Sequence, residues 1–190
     1  KGLAIRNGSV YSHLSFAPQG QIISPLVPSG RANLLLGLDL LEAARGVDPQ
    51  ERNKAASCEH TTALINTALT PTINTLIGAE EFSAEAMIAL IREHTNAESY
   101  FGTDLFTISE TYLGNKLYAN IMLLGVAYQS GLLPLDLENI KWAMKIALQR
   151  DFDTNNTAFD MGRRLALDPS FFSTAEPAPN IEALVSEKHA

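Results

Sequence analysis

The chain has 190 residues, is 46% hydrophobic and carries a formal net charge of −7, which suits one domain, or one domain with an added helical tail. A chain of this length buries roughly 70% of the surface its unfolded form exposes and needs no disulfide or metal to hold it together. Lys and Arg form no block, against a nucleic-acid surface; the richest apolar run, residues 121–128, is far short of the ~20 residues of a membrane span; and the opening Lys-Gly-Leu-Ala-Ile-Arg is no secretory signal.

The first forty-odd residues predict strands. Residues 9–17 alternate imperfectly through Val10, Ser12, Leu14 and Phe16, and Pro18-Gln19-Gly20-Gln21 makes a turn. Residues 22–27 read as a second extended piece, an edge strand or bulge because Pro25 and Pro28 interrupt it. Residues 32–38 are short and mostly apolar, as in a strand buried on both faces. Asp39 is placed to cap a helix over residues 40–45, which Gly46 ends. A buried strand feeding straight into a helix is α/β grammar. Residues 48–58 are polar and helix-compatible, with Asp48 as cap and Pro49 in the first turn. Residues 62–69 read as another strand, ended by Thr70-Pro71.

From Ser83 onward helices dominate. Ser83 caps the first, Glu85 suits its first turn, and Met87, Ile88, Leu90 and Ile91 make its apolar stripe. Residues 100–103 form a short strand, and residues 107–113 a short helix stopped by Gly114. Asn115 caps a helix over residues 116–130, apolar almost all round and roughly 22 Å long, which belongs in a core or an interface. Asp136 caps the next, with the stripe Ile140, Met144, Ala147 and Leu148 and with Lys141, Lys145 and Arg150 toward its C-terminal half. A last helix covers residues 153–165. Residues 168–180, with Pro169, Pro177, Pro179 and Phe171-Phe172, read as a linker or an arm on a partner. The fold class is therefore α/β: an open, mostly parallel sheet with flanking helices and a helix-rich C-terminal half. One domain spans residues 1–166, and a proline-containing tail or linker spans 167–190.

Few residues carry chemistry by themselves. His13, His60, His94 and His189 are scattered without zinc-site spacing, so no metal is expected. Cys58 is the sole cysteine, so no intrachain disulfide or four-cysteine iron–sulfur cluster can form, and a cytoplasmic setting is the simplest reading. Cys58 and His60 would share a face if they lay on a strand, yet a small buried thiol is the commoner state of a lone cysteine. Gly37-Leu38-Asp39 is either a ligand-binding turn or a plain helix cap. Asn120 lies in an otherwise apolar helix; a buried amide there needs a partner, in a neighbouring loop, a ligand or another subunit, or costs ~1–3 kcal/mol.

Four stretches, taken in order, resemble the γ-type domain of 2-oxoacid:ferredoxin oxidoreductases. They are Gly2-Leu3-Ala4-Ile5-Arg6-Asn7-Gly8-Ser9-Val10 followed by Ser12-His13; Ile23-Ser24-Pro25-Leu26-Val27-Pro28 followed by Ala32-Asn33-Leu34-Leu35-Leu36-Gly37; Glu42-Ala43-Ala44-Arg45; and Gly114-Asn115-Lys116 with Asn120, Leu124-Gly125 and Leu133-Pro134-Leu135. The likeness runs over roughly residues 2–148. Asn7 stands where the family often has glycine, and Asn tolerates a left-handed backbone. Family members begin with a strand and a glycine-rich turn ahead of this point. The expectation is thus that the chain is a fragment, or that the missing piece precedes it in a longer parent.

The resemblance implies a component, inactive alone, of an enzyme that oxidatively decarboxylates a 2-oxoacid to an acyl-coenzyme A and passes electrons to ferredoxin; the Ser-His-Leu-Ser-Phe wording suggests the indolepyruvate branch. Thiamine diphosphate and iron–sulfur clusters are expected on partner domains or subunits, of thiamine-binding and ferredoxin type, and coenzyme A is associated with this domain in some relatives. A homodimer is compatible with the reading. By the same carry-over, Arg6, Asn7, Gly8, Ser24, Asn115 and Asn120 are the candidates for a cofactor-binding or partner-facing rim, although turn and cap roles explain most of them. The alternative is a non-catalytic assembly module of a multidomain complex. A nucleotide-binding regulator is disfavoured by the missing glycine-rich turn.

Overall fold

The apolar run after Asn33 forms β1 (Leu34–Gly37), and Thr62–Asn66 forms β2, buried at four of its five positions. With β3 (Tyr100–Thr103) they make an all-parallel sheet in the order β1-β2-β3, with Leu35 opposite Ala63 and Leu64 opposite Phe101. The structure, a computed structural model, describes residues 12–21, 24–49, 54–69 and 83–172. It divides into two compact units: Lys1–Asp104 with Gly131–Pro134, and Leu105–Ser130 with Leu135–Ala190.

In the first unit, parallel neighbours require a return crossing between strands, and the helices that make it are α1 (Leu40–Val47) and α2 (Ala84–His94). Both lie on one face of the sheet and share a core of Leu40, Ala43, Ala44, Val47, Ala63, Ile65, Met87 and Ile91. Each large aliphatic side chain buried there contributes about 1.5–3 kcal/mol. Asp39 caps α1, its Oδ1 accepting from the Glu42 N–H at 3.0 Å, and Ser83 caps α2 by accepting from the Ala86 N–H at 3.2 Å. Gly37 lets α1 close onto the sheet: a Cβ there would lie 2.6 Å from Ile65 Cδ1 and 2.8 Å from Ala43 Cβ.

The second unit is helical: α3 (Leu105–Leu113), α4 (Ala119–Gln129), α5 (Leu137–Leu148) and α6 (Phe152–Leu167). Gly114 ends α3 at φ +71°, and Asn115 then accepts from the Leu117 N–H at 3.0 Å, opening the 3-10 turn Lys116–Tyr118 that leads into α4. α4 and α6 pack backbone to backbone. A Cβ on Gly125 would collide with the Phe159 carbonyl oxygen, and one on Gly162 with the Met122 carbonyl oxygen. Met122, Val126, Ala158, Phe159 and Leu165 are fully buried, and the Tyr128 and Phe159 rings pack at 5.7 Å.

Several expectations are corrected. Residues 12–17 and 24–27 are irregular, without strand pairing, while residues 9–11 and 22–23 lie outside the described residues. Residues 54–57 are not helical; the Lys54 and Ala55 carbonyls instead accept from the N–H groups of Gly30 and Ala32. α1 runs on through Gly46 because Val47, fully buried, completes the stripe Leu40, Ala43, Ala44, Val47. β2 stops at Asn66 rather than residue 69. Asp136 stands at the start of α5 but makes no capping hydrogen bond, and Ala147 is exposed.

The packing yields a contrast within the second unit. Gly162→Ala is expected to lose about 3 kcal/mol, because the new methyl meets a backbone carbonyl that cannot yield. Gly114→Ala, with the same added methyl in open space at positive φ, loses only about 1–2 kcal/mol. Urea unfolding of the two variants beside the parent measures the difference.

Candidate functional site

Ligands of open parallel sheets sit beyond the carboxyl ends of the strands, here the turns that follow Gly37, Asn66 and Thr103. Asn66 organises this edge. Its buried side chain donates from Nδ2 to the Leu38 carbonyl at 3.3 Å and accepts at Oδ1 from the Ala68 N–H at 3.3 Å. The Thr67 N–H donates to the Thr103 carbonyl at 2.9 Å, so the turns after β1, β2 and β3 are tied together. With Asp39 bound to the α1 terminus, the polar groups here hold the rim in shape and make no nucleophile–base pair among the described residues. The Asn inside the apolar run Thr-Ala-Leu-Ile-Asn was the sequence signal for this role, and the sequence reading did not use it.

Tyr100 introduces an electrostatic feature. Its ring folds over Gly102, where any Cβ would strike the phenol, and the Arg92 guanidinium lies 4.7 Å from the ring centroid. The hydroxyl is buried without a hydrogen-bond partner. Burial pushes the phenol's pKa above its ordinary value, and the Arg92 charge partly opposes this. In the second unit, Tyr118 donates to Asp151 Oδ2 at 2.6 Å, and that bond raises the Tyr118 pKa as well.

The second unit carries a shallow, open cleft of about 370 Å³, lined by Gln129, Lys141, Asp160, Arg163, Arg164 and Leu167. Asp160 receives Lys141 at 3.4 Å and Arg163 at 3.0 Å, and Arg163 also donates to Gln129 Oε1 at 3.0 Å. Arg164 lies over the Phe171 ring at 5.3 Å. Three cations against one carboxylate leave the cleft basic in a chain of net charge −7. Arg163-Arg164 in the last turns of a helix was its sequence signal, which the sequence reading missed.

Of the predicted rim residues, three can be described, each within its own unit. Arg6, Asn7 and Gly8 lie outside the described residues. Ser24 is exposed and accepts from the Leu26 N–H at 3.2 Å, a local turn contact. Asn115 is a cap, and its carbonyl accepts from the Ser109 hydroxyl at 2.6 Å. Asn120, the second residue of α4, is exposed, so the premise of a buried amide fails. The expected buried thiol is also corrected. Cys58 is exposed, in a turn ahead of β2, and its thiol donates to the Glu93 carbonyl at 3.0 Å, while His60 faces Glu59 at 3.6 Å. His13 accepts from the Val27 N–H at 3.1 Å, a structural role. Among the described residues no group of three or more His, Cys, Asp or Glu could hold a metal ion, and no helix is long and apolar enough to cross a membrane.

The buried phenol gives a pH dependence. Because the Tyr100 pKa is raised in the folded state, its contribution to stability is whole below about pH 10, the ordinary tyrosine value, and is lost as pH rises through the folded value. Tyr100→Phe is expected to keep or raise stability at neutral pH, since it removes a buried unpartnered hydroxyl, and to flatten the alkaline limb. Thermal melts from pH 7 to about pH 11 check both.

Known proteins agree on what this arrangement belongs to. The chain is 24% identical over 168 residues to the indolepyruvate oxidoreductase subunit IorB of Pyrococcus horikoshii, covering 87% of this chain and 77% of that one. The corresponding subunit of Methanothermobacter thermautotrophicus is 24% identical over 163 residues, covering 85% and 76%, and that of Thermococcus kodakarensis 23% over 166 residues, covering 87% and 77%. No solved structure matches at a significant level. The sequence model of the pyruvate ferredoxin/flavodoxin oxidoreductase family matches residues 1–165, nearly all of the described chain and both of its units, and the chain belongs to that family.

Proposed function

We propose that the chain is a component of a 2-oxoacid oxidoreductase of the indolepyruvate type, working inside an assembled enzyme rather than alone. The observation that carries this reading is the similarity to three indolepyruvate oxidoreductase subunits over at least 85% of the chain. The reaction joins the 2-oxoacid's acyl carbon to the thiol of coenzyme A, releases the carboxylate as carbon dioxide with one proton, and passes two electrons to ferredoxin. Thiamine diphosphate would supply the carbanion chemistry and iron–sulfur clusters the electron path. Both are assigned to partner domains or subunits, in keeping with the single cysteine here, which cannot by itself ligate a four-thiolate cluster. Coenzyme A is assigned to the Arg6-Asn7-Gly8 stretch, and an aqueous cytoplasmic setting follows from the same reading.

The assembly-module reading has one observation of its own: Asp39, Ser24 and Asn115, three polar residues of the expected rim and turns, are engaged in caps and local turns. Under it the chain shapes a complex and touches no substrate.

Viologen reduction driven by indolepyruvate and coenzyme A separates the two readings, measured on the parent enzyme with and without this chain. Loss of turnover while the thiamine partner stays folded is expected; unchanged turnover removes the chain from the catalytic cycle. Asn120→Leu refines the result. Because Asn120 is exposed, its replacement is expected to move stability by no more than about 0.5 kcal/mol. A large fall in turnover with that stability intact would place Asn120 against a partner, and unchanged turnover would leave it a solvated helix residue.

A further inference from the structure

Two arginines in the last turns of α6 are backed by aromatic rings. Arg163 lies over the Tyr128 ring at 5.6 Å, and Arg164 over the Phe171 ring at 5.3 Å. A ring against the face of a guanidinium steadies its plane and leaves the N–H groups on its edge free to donate. Arg163 uses two of its nitrogens, Nη1 on Asp160 Oδ1 at 3.0 Å and Nε on Gln129 Oε1 at 3.0 Å, which leaves Nη2. The other oxygen of Asp160 accepts from Lys141 Nζ at 3.4 Å and from Asn156 Nδ2 at 3.5 Å. Arg164 has no such acid: among the described residues its guanidinium pairs with no carboxylate. Asp168, one turn on, gives its Oδ1 to the Ser170 N–H at 3.0 Å and hydroxyl at 2.7 Å instead.

We infer that the cleft these side chains line binds a phosphoryl group, either free phosphate or the phosphomonoester of a larger ligand. Donors remain on three helices: Gln129 Nε2 on α4, Lys141 on α5, and Arg163 Nη2 with the whole edge of Arg164 on α6. Donors arriving from three helices suit a tetrahedral anion with several terminal oxygens. A planar carboxylate is already satisfied by one arginine fork. The C-terminal ends of α4 and α6 lie here too, and about half a negative charge on each offsets one cation at most. Asp160 offsets a second, so the lining stays positive. Every residue of the site belongs to the second unit, and the site stands whether or not the chain serves an oxidoreductase.

The test titrates the full chain with inorganic phosphate, methyl phosphate and acetate at fixed ionic strength, followed by the amide and arginine Nε–H resonances. The cleft is open, so a Kd on the order of 1 mM is expected for a phosphoryl ligand, with acetate at least about tenfold weaker. Arg164→Gln and Lys141→Gln should each weaken binding about tenfold. Phe171→Ala keeps every charge and should weaken it about threefold, because the Arg164 guanidinium loses its backing. Methyl phosphate binding at least as well as phosphate assigns the site to a phosphomonoester of a larger ligand. Binding about tenfold weaker assigns it to free phosphate, and either result supports the inference. The absence of a saturable shift up to about 50 mM phosphate overturns it. So does acetate binding as tightly as phosphate, which makes the cleft a carboxylate site. Unchanged affinity in Arg164→Gln/Lys141→Gln or in Phe171→Ala overturns it as well, as does a loss that only tracks a lowered melting temperature.

Discussion

Backbone approach without an intervening Cβ is the constraint on which both units rest. In the first, Gly37 lets α1 settle against Ile65 and Ala43, so that the α1 stripe and the sheet share one core. In the second, Gly125 and Gly162 bring α4 and α6 so close that each glycine faces a carbonyl oxygen of the other helix. Dispersion falls off over fractions of an ångström, so a seam closed to this extent gathers contacts that bulkier residues would forfeit. It also explains why α4 is apolar nearly all round. Its close side needs small residues, and Met122, Leu123, Val126 and Ala127 are buried around them.

The polar residues divide by task. Asn66, Thr61, Ser83 and Asp39 satisfy main-chain groups: Thr61, fully buried, donates to the Ala32 carbonyl at 2.7 Å and accepts from the Ser57 N–H at 2.9 Å. Such bonds contribute modestly when made and cost much when lost, so they fix turns more than they perform chemistry. Charged groups that pair with each other include Lys141, Asp160 and Arg163, on α5 and α6.

Much of the fold was legible because its signals were local. A short apolar run ending at a cap residue gave β1 and the start of α1. Ser83 before an apolar stripe gave α2, residues 100–103 gave β3 in full, and Gly114-Asn115 marked the break between α3 and α4. The failures came where tertiary context decides. Residues 12–17 alternate like a strand but have no neighbouring strand to pair with among the described residues. Residues 54–57 read as the end of a helix, yet the Lys54 and Ala55 carbonyls are taken by the N–H groups of Gly30 and Ala32. Gly46 looks like a stop signal, and the burial of Val47 overrides it, since fully burying a valine outweighs the ~1 kcal/mol cost of a glycine inside a helix.

The candidate site was less legible than the fold for a related reason. A residue type states what a side chain can do and not which way it points. Asn120 sits among Ala119, Met122 and Leu123, which are buried, yet in the first turn of α4, where the helix end is open, it meets solvent. Cys58 and His60 are two residues apart, which would align them on a strand, but in a turn the thiol finds the Glu93 carbonyl instead. The basic cleft has the converse history. Lys141, Arg163 and Arg164 lie on two helices, and only the packing of α5 on α6 brings them to one depression, with Asp160 between Lys141 and Arg163. Ion pairs that exposed add little stability, by about 0–1 kcal/mol each. What the packing of α5 on α6 adds is a charge arrangement, three cations to one acid, that neither helix shows alone.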